Sequence, residues 1–140
     1  VTQTPLAGVD VLTGPMSGCW IMVYTHEGVT TVGHVGTFLK PTDQKSIAAK
    51  AAWAAFTQQV PAPQLIAGFN PFTHWKERGF PLKVGDDGNG SVYALVTTDH
   101  RLYSIYLYRQ GGNAAPNTYR IAGLQEIVSV PRSALTHIPD

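Results

Sequence analysis

The sequence predicts a single α+β domain over residues 1–140, mostly antiparallel β-sheet or sandwich with one principal α-helix packed on it. Three observations predict it. Two pairs of runs rich in β-branched and aromatic residues are each joined by a short turn, which is the mark of hairpins. One alanine-rich stretch sits between prolines and supplies the helix. The composition is that of a folded domain, with 44% hydrophobic and 14% charged residues in 140, a length that buries one core but not two.

In chain order, Val1 to Pro15 reads as loop, because Pro5, Gly8, Gly14 and Pro15 break any period. Trp20 to Tyr24 and Val29 to Val35 flank His26-Glu27-Gly28, where glycine tolerates the positive φ of a tight turn. Thr42 to Gln59 predicts the helix, with Thr42 or Asp43 as N-cap. Its apolar side is expected to carry Ile47, Ala48, Ala51, Ala52, Ala55 and Phe56, opposite Ser46, Lys50 and Thr57. Gln64 to Phe69 predicts a short strand, and Asn70 to Asn89 a long ordered loop with one helical turn near His74 to Arg78. A second hairpin is predicted from Ser91 to Thr97 and Arg101 to Tyr108 around Thr98-Asp99-His100, then a loop from Gln110 to Asn117. Late strands are expected at Tyr119 to Ala122 and Glu126 to Val130.

The charge balance excludes some functions. A formal charge of +1 with ten scattered basic residues gives no field for a phosphate backbone or an anionic lipid, so neither nucleic acid nor membrane is an expected partner. No apolar run approaches the roughly 20 residues of a membrane span. One cysteine allows no internal disulfide and no cysteine-based metal site. A monomer needing no cofactor or metal is expected. A chain that opens on Val1 rather than Met suggests a processed protein or an excised catalytic region.

The chemistry centres on Cys19 and His34. A nucleophilic thiolate needs a base beside it and a dipole-rich pocket for the oxyanion formed at a carbonyl. With the turn on Glu27-Gly28, residue 26 faces 29, Ile21 faces His34 and Cys19 faces Gly36. Strand parity then puts Cys19, Ile21 and His34 on one side of the sheet, with Cys19 and His34 as diagonal neighbours. Gly18 and Gly36 leave room for a substrate backbone, and Ser17-Gly18 can turn successive N–H groups towards one point. Spacing alone also allows Cys19 to be a small buried hydrophobe.

The segment Thr13-Gly14-Pro15-Met16-Ser17-Gly18-Cys19 resembles the T-x-x-L-S-G-C motif of Burkholderia lethal factor, with Met16 in place of Leu. Ser-Gly-Cys before a hairpin histidine is similar to the catalytic region of cytotoxic necrotizing factors, and the chemotaxis receptor deamidases share the arrangement. The resemblance covers only residues 13 to 37. It implies a cysteine-dependent glutamine deamidase of toxin or effector type acting on a protein that carries the target glutamine. It further implies Cys19 as nucleophile, His34 as base, Thr13 as the position whose oxygen orients the imidazole, and Ser17 beside the oxyanion site. Its implied setting is a secreted or injected bacterial effector in the cytoplasm of a target cell.

Other readings stay open at this stage: a cysteine peptidase or peptidoglycan amidase, or a non-catalytic protein-binding module. His26 lies in the turn on the wrong face. His74, His100 and His137 read as surface histidines. Phe72 and Trp75 fit either a protein-binding rim or a pin holding the loop to the core. Tyr93, Tyr103, Tyr106, Tyr108 and Tyr119 read as strand-packing residues with polar tips at the sheet edge. Asp86, Asp87 and Asn89 among glycines fit a plain turn better than a calcium loop, which would need a terminal glutamate.

Overall fold

The structure is a computed structural model, and it describes residues 2–16, 18–36, 42–79, 90–109 and 119–138. Eight strands form two four-stranded antiparallel sheets. The first sheet holds β1 (Thr2–Pro5), β4 (Val29–Val35), β3 (Trp20–His26) and β5 (Gln64–Phe69) in the order β1-β4-β3-β5. The second holds β2 (Val11–Met16), β6 (Gly90–Val96), β7 (Leu102–Arg109) and β8 (Tyr119–Ile127) in sequence order. The two sheets pack face to face. Helix α1 (Gln44–Thr57) covers the other side of the first sheet, giving three layers: helix, sheet, sheet. The expected α+β class with one main helix is what the chain adopts, and none of its helices is long and apolar enough to cross a membrane among the described residues.

The middle layer follows from β3. Alternate residues of a strand face opposite sides, and Trp20 to Tyr24 are all buried, so this strand is apolar on both faces. Ile21 and Val23 join Met16, Val92, Ala94, Val96 and Tyr106 in the core between the sheets. Trp20, Met22 and Tyr24 pack with Trp53, Leu135 and Ile138 on the helix side. The hairpin turn falls at Glu27 (φ 53°) and Gly28 (φ 80°), and its register pairs His26 with Val29 and Ile21 with His34, as the parity argument requires.

Several expectations need correction. Val1 to Pro15 is not loop. Its prolines stand on edge strands, where a missing N–H costs no ladder bond, and β2 absorbs Gly14-Pro15 in an irregularity between Thr13 and Met16. A Cβ on Gly14 would lie 2.6 Å from the Tyr93 ring, so the irregular turn needs glycine there. The late strands are one element, β8, with its irregularity opposite Tyr106 and Leu107; Val130 lies beyond it and donates its N–H to Gly68 O at 3.0 Å. The helical turn expected near His74 is α2 (Thr73–Glu77), and the hairpin of β6 and β7 is as expected. The loops Gln110 to Asn117 and Phe80 to Asn89, including Asp86, Asp87 and Asn89, lie outside the described residues.

Helix α1 is capped by Asp43, whose carboxylate accepts from Lys45 N at 2.8 Å. Its buried side departs from the expected one: Phe56 packs against the core as expected, but Ser46 and Trp53 are buried beside it, while Ile47, Ala48, Ala51, Ala52 and Ala55 are exposed. Alanines bury little area on either side, so the bulkiest residue chooses. Trp53 is fully buried, donates Nε1–H to Leu135 O at 2.7 Å and stands in a ring cluster with Tyr24 and Phe56.

Phe72 and Trp75 are pins and not a rim. Both are buried. Trp75 donates to Ser104 Oγ (2.7 Å), which donates to Pro71 O (2.6 Å), and the ring fills the space that a Cβ on Gly123 would need. Tyr106 belongs to the core and not to the sheet edge. His74 is no ordinary surface histidine: its Nε2 is buried without a hydrogen-bond partner, and its ring meets Trp75 edge-on at 4.7 Å.

Replacing Trp53 with Ala is expected to cost about 3–5 kcal/mol in urea unfolding, whereas Ile47→Ser should stay within about 0.5 kcal/mol of wild type. The opposite ranking would restore the face read from the sequence.

Candidate active site

Between Met16 and Trp20 the chain leaves the second sheet and enters the first, so Cys19 lies at the crossing, on the rim of the sandwich. Gly18 makes that crossing with φ +124°, a conformation that a side chain disfavours. Ser17 lies outside the described residues. Cys19 is 5% exposed and shares the inter-sheet core. Its Sγ is 2.5 Å from His34 Nε2, so the proposed pair is in direct contact.

His34 reaches the thiol because β4 runs beside β3 with Ile21 opposite it. On its other flank stands β1, with Thr2 opposite His34. The imidazole is half-buried, and burial lowers its pKa below the usual histidine value, because the charged form loses hydration. It therefore favours the neutral form, which can accept a proton.

A cleft of about 130 Å³ opens beside His34 and is lined by Thr2, Gln3, Thr4, Val11, Thr13, Val32 and His34. It lies where the edge strands β1 and β2 of the two sheets run past each other. Three threonines ring the imidazole there. Thr13 thus meets His34 across one cleft, as a third site residue should, but among the described residues no hydrogen bond joins the two. The orienting contact that the resemblance implies is not formed. Cys19 does not line this cleft, so His34 stands between the opening and the thiol. Gly36 is half-buried, and a Cβ there would meet nothing within 4 Å, which matches the room expected of it; it does not line the cleft.

His26 faces the helix, with Nε2 3.3 Å from Pro61 O and its ring against Phe56 at 5.1 Å, so it has no part in the site. Thr2 and Thr4 were hidden from sequence reasoning inside a stretch read as loop. The alternation of Thr2-Gln3-Thr4 was the available signal: the threonines face the cleft, while Gln3 also accepts from Tyr24 OH at 2.6 Å on the helix side. Among the described residues no group of histidine, cysteine and carboxylate side chains could hold a metal ion.

Comparison with protein-family models, with curated proteins and with solved structures gives no match. Function is therefore argued from the site.

The lowered His34 pKa carries a sign for stability. The folded state prefers the neutral ring, so the contribution is present above the unfolded value of about 6.5 and is lost as pH falls through the lower folded value. Thermal melts from pH 8 down to pH 5 should show wild type losing stability more steeply than His34→Gln. Equal slopes would mean that the ring is not desolvated.

Proposed function

We propose that the protein is a cysteine-dependent protein glutamine deamidase with a toxin-like deamidase fold, in which Cys19 is the nucleophile and His34 the base. The contact of Cys19 Sγ with His34 Nε2 at 2.5 Å carries this reading. The cleft on the far side of His34 from the thiol has about 130 Å³, well below the roughly 300–1,000 Å³ of sites for drug-sized ligands. That is room for one side chain. A peptidase would have to seat several residues of backbone.

In this mechanism His34 accepts the Cys19 proton as sulfur attacks the carboxamide carbon of the glutamine side chain, which reaches the thiol from a side other than the cleft, because Cys19 does not line it. Backbone N–H groups around Ser17, Gly18 and Cys19 hold the oxyanion. His34 returns the proton to the departing nitrogen, and ammonia leaves a thioester. Water, deprotonated by His34, hydrolyses it and gives glutamate. The target is a protein that presents a glutamine, and the setting this reading implies is a bacterial effector acting inside another cell.

The 5% exposure of Cys19 favours one rival, a packed cysteine in a binding module. Thiol chemistry separates the two. Iodoacetamide should alkylate Cys19 at neutral pH on the order of 10²-fold faster than in His34→Ala, the scale of a positioned base. The wild-type rate should hold through the ordinary histidine value of about 6.5 and fall only at lower pH, because burial lowers the His34 pKa. A slow thiol, indifferent to His34, identifies the binding module.

Incubation with lysate followed by peptide mass spectrometry should show a gain of about 1 Da at a glutamine, as amide-to-acid exchange requires. Cys19→Ala should abolish the gain. Cleaved peptides instead of shifted ones would identify a peptidase.

A further inference from the structure

Glycine weakens a strand, because it packs nothing and loses the most freedom on ordering, so a glycine kept in a sheet needs a reason. A crowding neighbour supplies it at Gly33, Gly68 and Gly123. A Cβ at Gly33 would lie 3.0 Å from the Tyr24 ring, one at Gly68 would lie 2.6 Å from Leu135, and one at Gly123 would overlap the Trp75 ring. Gly36 has no such neighbour. A Cβ there meets nothing within 4 Å among the described residues, and its φ lies outside the positive range that favours glycine. Neither packing nor backbone conformation calls for glycine at this position.

Its place in the hairpin points to another reason. The last pair of the ladder is Trp20 with Val35, and one step beyond it Cys19 stands across from Gly36. Val35 belongs to the core under the helix, so strand alternation turns position 36, like His34, to the side on which Cys19 lies. A side chain at 36 would stand about 5 Å from the Cβ of Cys19, the spacing of residues directly opposite on one face. Gly36 is half-buried, the thiol is almost wholly buried, and the cleft on the other side of His34 does not reach the sulfur. The missing side chain leaves a gap beside the thiol.

We propose that Gly36 is the specificity-determining residue of the site: its missing side chain is the opening through which an unbranched chain reaches Cys19, and bulk at position 36 closes it. The opening is one side chain wide. A slender side chain ending in a carboxamide passes, whereas a backbone carbonyl flanked by its own side chains is too broad. The carboxamide rests on the deamidase reading; the opening itself does not, because it concerns access to the sulfur whatever the acceptor. Glycine at 36 is on this account a residue that trades strand stability for access.

Iodoacetamide, a small unbranched carboxamide, is the probe, and its rate with Cys19 is read in the full chain at neutral pH. Gly36→Leu should abolish fast alkylation, and Gly36→Ala should slow it in part. The Ala variant should melt at or above the wild-type temperature, since the folded state has room for the methyl group and the unfolded chain loses freedom. Its alkylation should keep the wild-type pH profile, because the contact of Cys19 with His34 is retained; a disturbed pair would shift that profile. In urea all three chains should alkylate alike. Thr4→Leu, which fills the cleft on the other side of His34, should leave the rate as it is. A fast wild-type thiol that stays fast in Gly36→Leu overturns the proposal and leaves the deamidase reading standing, as does a thiol slowed by Thr4→Leu and not by Gly36→Leu. If the Leu variant melts early, the Ala variant decides, and a rate equal to wild type overturns the proposal. A thiol that is slow in wild type and in every variant overturns both.

Discussion

Strand β3 must be apolar on both sides, because it lies inside the layer that a helix and a second sheet press against from opposite faces. Its odd residues, Ile21 and Val23, belong to the core between the sheets; its even residues, Trp20, Met22 and Tyr24, belong to the core under the helix. A register shift of one residue would exchange the two sets, setting Trp20 and Tyr24 against the second sheet and taking them from Trp53 and Leu135 under the helix. The tight turn at Glu27 and Gly28 and the bulk of the aromatic set together hold the register. The site inherits it. His34 is beside the thiol because Ile21 is opposite it, and Cys19 precedes the strand by one residue on the inter-sheet parity.

This shared parity explains how much of the site was legible. Turn chemistry at His26-Glu27-Gly28 gave the hairpin, and period two gave the face, so the Cys19 and His34 contact follows from local rules. The cleft was not legible, because it is made by β1 and β2. These are edge strands from different sheets, and each contains a proline that reads as a strand breaker. On an edge a proline interrupts nothing, but only the pairings Thr2 with His34 and Thr13 with Ala94 show that these segments are edges. Long-range pairing decided there, and the short alternation Thr2-Gln3-Thr4 was its one local mark.

The helix failed for a different reason. Alanine fills both sides of α1, so counting apolar positions weighs many small methyl groups against one indole. Burial free energy scales with area, and Trp53 outweighs the row of alanines that points to solvent. Ser46 is carried inside on the same side. Phe72 and Trp75 were ambiguous in a loop rich in proline and glycine, and were resolved by Gly123 and Ser104, residues remote in sequence that supply the missing Cβ volume and the hydrogen bond. In each case size or a distant partner outranked pattern.

The same parity, carried into the second sheet, divides its side chains into an inner and an outer set. Its inner face meets β3 and so takes part in positioning the thiol; its outer face repeats an apolar alternation with nothing from the described residues laid over it. A strand that is apolar on both faces is a core strand when both faces are covered, as β3 shows. When one face is open, the unburied area remains as a driving force for association. Strand β2 lends alternate residues to the two sides: Val11 and Thr13 to the cleft, Leu12 to the open face.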